Sequence, residues 1–143
     1  MVTIRLATPD DAPALHKLIT GLAGQQNLLD HVTVTPGQLA GVLARPEAGS
    51  LLAEEDGRAI GYVSWVRSVS FWLGSEYIHL DDLYVTEDMR GRGVGERLMR
   101  TLADLNPDTV IRWEVQQDNI AAQRFYERLG AKILFRGVCN WRP

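Results

Sequence analysis

Residues 77–105 read YIHLDDLYVTEDMRGRGVGERLMRTLADL, and they predict a strand, a glycine-rich turn and a helix in succession. The first nine residues predict a strand, and apolar residues at helical spacing after residue 93 predict a helix. Between the two lies the run Arg90-Gly91-Arg92-Gly93-Val94-Gly95. Alternating glycines at a strand-to-helix junction expose backbone N–H groups beside the positive end of a helix, which together form an anion site. A phosphate or pyrophosphate is the natural ligand of such a turn.

Two common phosphate-binding patterns fit this turn poorly. A P-loop requires Gly-Lys-Ser/Thr, whereas Gly95 is followed by Glu96 and Arg97. A dinucleotide-binding turn requires Gly-x-Gly-x-x-Gly after the first strand, and here the spacing and the place differ. A third interpretation is a turn whose glycines are needed only for the backbone conformation. Arg90 and Arg92 favour a phosphate, because guanidinium groups bind phosphate through two hydrogen bonds.

The composition is that of one globular domain spanning residues 1–143. The chain is 45% hydrophobic and 23% charged, and its net charge of −3 argues against nucleic-acid binding. Cys139 is the single cysteine, so no internal disulfide forms, and we expect it in the core. Neither a membrane-spanning run nor the apolar stretch of a signal peptide is evident. We therefore expect a cytoplasmic protein without a membrane partner.

Periodicity in the rest of the chain predicts an α+β domain. Strands are expected at residues 2–6, 50–55, 58–69 and 109–115, with one or two more within 131–141. One helix is expected to begin with Thr8 as its cap and Pro9 as its first residue, and another is expected to begin near Thr35. A further helix is expected to begin at Asn119 and to end at Gly130. Three consecutive strands before the glycine turn exclude a pure βαβ repeat, so the sheet is mixed.

The segment around the turn resembles the acetyl-CoA signature of the GNAT superfamily of N-acetyltransferases, Arg/Gln-x-x-Gly-x-Gly/Ala after a strand. Arg90, Gly93 and Gly95 fill it. A second family block, a helix with Asn at its start and Phe/Leu-Tyr-x-x-x-Gly at its end, is matched by Asn119, Ala122, Phe125, Tyr126, Leu129 and Gly130. The resemblance implies a twisted, mostly antiparallel sheet of six to seven strands, about four flanking helices and a splayed central strand pair.

Within that superfamily the chain is most similar to the diamine (spermidine/spermine) N-acetyltransferases. Phe71-Trp72-Leu73-Gly74 and the strand from Leu80 to Val85 carry this likeness. The branch has a Tyr-Glu pair late in its first helix that holds a cationic amine, and here Gln25 and Gln26 stand there. Its strand carboxylate is retained as Asp81. The acceptor expected from the resemblance is a small primary amine, either diamine-like or amino-acid-like.

The resemblance also assigns roles to individual residues. Acetyl-CoA is expected to be the co-substrate, with no metal, and Gln25, Gln26 and Asp81 to bind the acceptor. The expected cofactor contacts are Leu83, Tyr84, Val85, Arg90, Gly91, Arg92, Gly93, Val94, Gly95, Glu96, Asn119 and Ala122. Tyr126 is the expected general acid, because a phenol is protonated at neutral pH and can donate to the leaving thiolate.

The general base is less narrowly defined. Asp81 is expected by family analogy to accept the proton of the amine, directly or through a water. Asp81 and Asp82 are neighbours on a strand, so we expect their side chains on opposite faces. Glu114 on the neighbouring strand is a reserve candidate for the base, and either aspartate can instead pair with an arginine or cap a loop. His79 and His31 are candidates for the acceptor site, with a structural role as the alternative for each.

Two other functions are compatible with the sequence: a non-catalytic acyl-CoA-binding sensor, and acetylation of a protein or peptide amine. Trp65 is expected in the core. The apolar loop at Phe71 and Trp72 is expected to form a substrate wall or a subunit contact. The resemblance implies a homodimer, with a final strand containing Trp141 joining the partner.

Overall fold

A five-stranded mixed sheet lies in the larger of two structural units, Met1–Trp113; the smaller unit is Glu114–Pro143. The computed structural model describes all residues, 1–143. The strands are β1 (Thr3–Leu6), β2 (Ala48–Glu55), β3 (Arg58–Ser70), β4 (Ser75–Val85) and β5 (Ile111–Arg112), in that spatial order. The helices are α1 (Ala12–Gln25), α2 (Pro36–Leu43), α3 (Val94–Leu105) and α4 (Ile120–Arg128). No helix combines the length and the apolar character that crossing a bilayer requires.

The predicted α+β architecture with four helices is confirmed. Strands β1 to β4 pair antiparallel, and β4 pairs with β5 in parallel. The starts of α2, α3 and α4 agree with the sequence, whereas Pro9–Asp11 forms a 3-10 turn and α1 begins only at Ala12. Thr35 caps α2, accepting a hydrogen bond from Gln38 N at 3.1 Å while Gln38 Oε1 accepts from Thr35 N at 2.9 Å.

Helices cover both faces of the sheet. Leu15 and Leu18 of α1 and Leu39 of α2 pack with Leu52 and Tyr62 in one buried cluster. Gly61 precedes Tyr62 in β3 and therefore lies on the other face, where it approaches Leu98 of α3. Gly61 is required by packing, since an added Cβ would lie 2.9 Å from the backbone oxygen of Tyr84.

The C-terminal prediction of strands is wrong. Residues 131–143 contain no strand, and the segment predicted at 109–115 is reduced to the two residues of β5. A strand needs a neighbour for its backbone N–H and C=O groups, and in the single chain Leu134, Val138 and Trp141 are instead exposed. The sheet therefore has five strands rather than six or seven. Cys139, expected in the core, lies in the same segment and is exposed as well, whereas Trp65 is buried as expected.

Candidate active site

The glycine turn forms the N-terminus of α3. Gly91 and Gly93 have φ of 78° and 76°, in the left-handed region that glycine adopts without strain. The first intrahelical bond is donated by Arg97 N to Gly93 O at 3.0 Å. The N–H groups of Val94, Gly95 and Glu96 precede it and point out of the helix end, as an anion site requires. The backbone of the turn thus fits the predicted phosphate ligand.

The two arginines of the turn make protein contacts through their side chains. Arg90 donates through Nε to Val85 O at 3.0 Å and through Nη2 to Gln25 Oε1 at 2.6 Å. Its guanidinium lies 5.7 Å from the centre of the Tyr84 ring. Arg92 pairs with Glu55 at 3.7 Å. Arg90 therefore ties the start of the turn to the end of β4 and to the last residue of α1.

The edge of β4 that follows residue 79 is open on one side. Val63, Tyr62 and Gly61 of β3 pair with the predicted cofactor residues Leu83, Tyr84 and Val85. On the other side, pairing with β5 stops at His79, which lies opposite Arg112. Backbone groups of residues 80–85 on that side have no strand partner, at the place where the resemblance to the GNAT superfamily implies a splayed pair.

A β-bulge in β4 changes which residues share a face. Ser64 lies opposite Asp82 and Trp65 lies opposite Leu80, so Asp81 is an extra residue without a partner in β3. Residues opposite each other in an antiparallel pair share a face. Asp82, opposite Ser64, is therefore on the face of Tyr62, and so is His79, opposite Val66.

Asp81 and Asp82 consequently do not lie on opposite faces as strict alternation predicts. Asp81 contacts His79 on this face, through Oδ1 and Nδ1 at 3.1 Å. Its charge also contributes to the raised pKa of Asp82. The bulge thus gathers His79, Asp81, Asp82 and Tyr62 into one cluster on the face that α1 and α2 cover.

Asp82 is the more buried of the two carboxylates. Tyr62 donates its hydroxyl to Asp82 Oδ2 at 3.1 Å. Burial raises the pKa of Asp82 above its ordinary value, the Tyr62 hydrogen bond opposes that shift, and the charge of Asp81 adds to it. Burial and the Asp82 charge likewise raise the pKa of Tyr62. Tyr62 is a site residue that sequence reasoning missed, and its place opposite β4 becomes visible only with the strand register.

The acceptor residues predicted on α1 lie at its C-terminal end. Gln25 accepts from Arg90, as described, and Gln26 ends the helix by donating its N–H to Leu22 O and Ala23 O, both at 3.2 Å. Both side chains belong to exposed residues. His31, a candidate for the acceptor site, is exposed in a short 3-10 turn, Leu29–His31.

The remaining predicted residues belong to the smaller unit. Asn119 caps α4, its side-chain oxygen accepting from Ala122 N at 3.1 Å. Tyr126 is half-buried and meets Phe125 edge-on, with 5.4 Å between ring centres. Gly130, with φ of 100°, follows the helix as predicted.

Known proteins are similar to this chain in sequence and in fold. The profile of the Acetyltransferase (GNAT) family matches residues 22–131. Thialysine N-epsilon-acetyltransferase of Bos taurus is 30% identical over 146 residues, which cover 93% of this chain and 85% of that protein. Spermidine/spermine N(1)-acetyltransferase-like protein 1 of Homo sapiens is 28% identical over 111 residues, 71% of this chain and 16% of that protein.

The fold is also that of a solved acetyltransferase structure. An aminoglycoside acetyltransferase from an uncultured soil metagenomic sample, crystallised with sisomicin, superposes with a TM-score of 0.84 at 12% identity and covers 99% of this chain and 95% of its own. The sequence match supports the diamine and amine branch, and the chain is an acetyltransferase that belongs to the GNAT family.

Proposed function

We propose that this protein transfers an acetyl group from acetyl-CoA to a primary amine of a small molecule, diamine-like or amino-acid-like. The observation that carries the proposal is the arrangement of β4. Its middle bears two carboxylates on one face, and its end leads into a glycine turn with open N–H groups. The middle of β4 would thus bind a cationic acceptor, and its end would bind an anionic donor.

The donor half uses backbone groups. Acetyl-CoA supplies an activated acetyl thioester, and the N–H groups from Gly91 to Glu96 would hold its pyrophosphate. The open edge of β4 at Leu83, Tyr84 and Val85 would bind the pantetheine arm as an added strand. Asn119 and Ala122 are proposed to border that arm. The cofactor contact of Arg90 would come from its backbone, because its guanidinium already binds Val85 and Gln25.

The acceptor half uses the carboxylate cluster. A free alkylamine has a pKa of about 10 and arrives as an ammonium. Asp82 would attract it, and Asp81 would take its proton directly or through a water. Gln25 and Gln26 are proposed to contact the far end of the acceptor at the end of α1.

Acetyl transfer then breaks one bond and forms another. The amine nitrogen attacks the thioester carbon, the new C–N bond forms, and the C–S bond breaks. A backbone N–H near Leu83 would stabilise the charge developing on the carbonyl oxygen. Tyr126 would donate its hydroxyl proton to the departing sulfur and would regain a proton from the nitrogen, which loses its second proton as the amide forms. Asp81 would hold the first proton of the ammonium and release it to solvent.

A thiol-release assay tests this function. Acetyl-CoA is supplied with polyamines, amino acids, aminoglycosides or peptides, and the acetylated amine is identified by mass spectrometry. We expect thiol release with one class of small amine. Release with peptides alone would indicate a protein acetyltransferase, and acetyl-CoA binding without release for any amine would indicate a sensor; either result contradicts the proposal.

We also propose a cytoplasmic homodimer. Its support is the exposure of Phe71 and Trp72 at the β3–β4 hairpin and of Trp141 near the C-terminus. Light scattering at micromolar concentration is expected to give twice the chain mass, and a monomer there would refute the dimer.

A further inference from the structure

Asp81 occupies the least constrained position of the carboxylate cluster. It is the extra residue of the bulge, without a partner in β3, and half of its side chain is exposed. A carboxylate at such a position rotates freely unless another group holds it. The adjacent Asp82 charge also repels it, since the two carboxylates interact.

His79, by contrast, is held on both sides. Its backbone lies opposite Val66 of β3 and Arg112 of β5, the last position at which three strands run together. Only a third of its side chain is exposed. His79 therefore stands on the rigid part of β4 immediately before the irregular part.

We infer that His79 is a positioning residue that holds the Asp81 carboxylate in the orientation in which it takes the proton of the amine. This inference rests on the proposed function, in which Asp81 is the base. His79 Nδ1 and Asp81 Oδ1 are 3.1 Å apart. Residues two apart on a strand are separated by about 7 Å along the chain, a gap that a histidine and an aspartate bridge with one hydrogen bond.

The chemistry of the contact defines the donor. An ionised carboxylate only accepts hydrogen bonds, so Nδ1 carries the hydrogen in this contact. The bond occupies Oδ1 and leaves Oδ2 of Asp81 for the amine or an intervening water. The histidine thus fixes one oxygen of the base and presents the other, as supporting groups around a reactive centre do.

Three substitutions separate this role from a merely structural one. His79→Asn places an amide N–H near the position of Nδ1 and preserves the donor. His79→Gln places its amide one carbon further out, and His79→Leu removes the donor. We expect Leu and Gln to lower kcat about 10-fold, the lower end of the loss known for orienting partners, and Asn to stay within about threefold of the native value.

The controls are the melting temperature, the KM of the amine and the Kd of acetyl-CoA, which should change little in all three variants. A double-mutant cycle adds a second readout. If His79 acts through Asp81, His79→Leu should have no further effect on kcat in an Asp81→Asn background. A drop in kcat for Asn equal to that for Leu, or independent effects of the two sites, would overturn the inference.

Different results would contradict the role of Asp81 and the role of His79. If Asp81→Asn retains full turnover, the proposed base is wrong and the role of His79 is overturned with it. If Asp81→Asn is impaired and His79→Leu is not, the proposed function stands and only the inference about His79 is overturned.

Discussion

Replacing Asp82 with Asn distinguishes a charge retained for binding an ammonium from one retained for folding. Asn has the same shape as Asp, and its oxygen can still accept the Tyr62 hydrogen bond, which is 3.1 Å long in the native protein. The substitution therefore removes the charge and keeps the contact.

The expected effect on stability is a gain. Burial raises the pKa of Asp82 above 3.8, so the folded protein binds this proton more tightly than the unfolded chain does. Ionisation of Asp82 therefore lowers the free energy of unfolding as the pH rises above about 4. Asp82→Asn should be more stable than the native protein at pH 7, and the difference should vanish at acid pH, where Asp82 is protonated in both states.

The expected effect on the acceptor is a loss. A carboxylate and an ammonium about 4 Å apart attract each other by about 4 kcal/mol at an effective dielectric constant of about 20. Desolvation of both groups offsets part of this, and hydrogen bonds to charged groups contribute about 1.5–3 kcal/mol net. The KM of the amine should therefore rise about 10- to 100-fold, with little change in the KM of acetyl-CoA.

Two measurements decide the matter. Thiol-release kinetics at saturating acetyl-CoA give the KM of the amine, and urea unfolding at pH 7 and at about pH 3, below the ordinary pKa of aspartate, gives the stability difference. A variant that is less stable at pH 7 and binds the amine normally would contradict both expectations, because Asp82 would then be a folding residue.

Four further substitutions, one of them a control, have defined outcomes. Tyr126→Phe should lower kcat about 100-fold, the contribution of a general acid, and leave the Kd of acetyl-CoA measured by calorimetry unchanged; full activity would exclude Tyr126 as the acid. Gly61→Ala should destabilise the fold by about 1–3 kcal/mol in urea unfolding, because its Cβ would meet a β4 carbonyl at 2.9 Å. Gly41→Ala, with nothing within 4 Å, is the control and should stabilise α2 by about 1 kcal/mol. Two Arg5 hydrogen bonds, both 2.8 Å, lower the pKa of Asp11 to about 2. The lowered pKa makes the native fold more stable above about pH 4, and this stabilisation is lost as the pH falls toward 2. When the melting temperature is measured against pH, Asp11→Asn should remove that acid-dependent loss. A variant whose melting temperature falls with acid as much as that of the native protein would contradict the prediction.

The helices and the glycine turn were accessible from the sequence because their signals are local. Thr35 before Pro36, the apolar spacing of α1 and α3, and the positive φ of Gly91 and Gly93 all follow from the residues themselves. The anion site at the N-terminus of α3 follows from the same local signals.

The carboxylate cluster was not accessible in the same way, because it depends on strand register. Alternation predicts opposite faces for Asp81 and Asp82, and a single unpaired residue overrides it. Tyr62 enters the site only because β3 brings it opposite Tyr84, beside Asp82. The prediction of strands in the C-terminal segment was wrong for a related reason. Its apolar residues suit a strand, but strand formation depends on a partner that the local sequence does not specify.

The bulge at Asp81 also bears on how the length of this chain can vary. The β3 residues opposite its two neighbours, Trp65 and Ser64, are consecutive, so loss of Asp81 alone would leave a regular strand pair with every other side chain on its present face. The sheet therefore does not require this residue, and its loss would remove a carboxylate without changing the layers. Other changes in length are expected at the exposed hairpin around Phe71 and Trp72. Relatives that keep the bulge and a carboxylate at this position should therefore keep them for function rather than for folding.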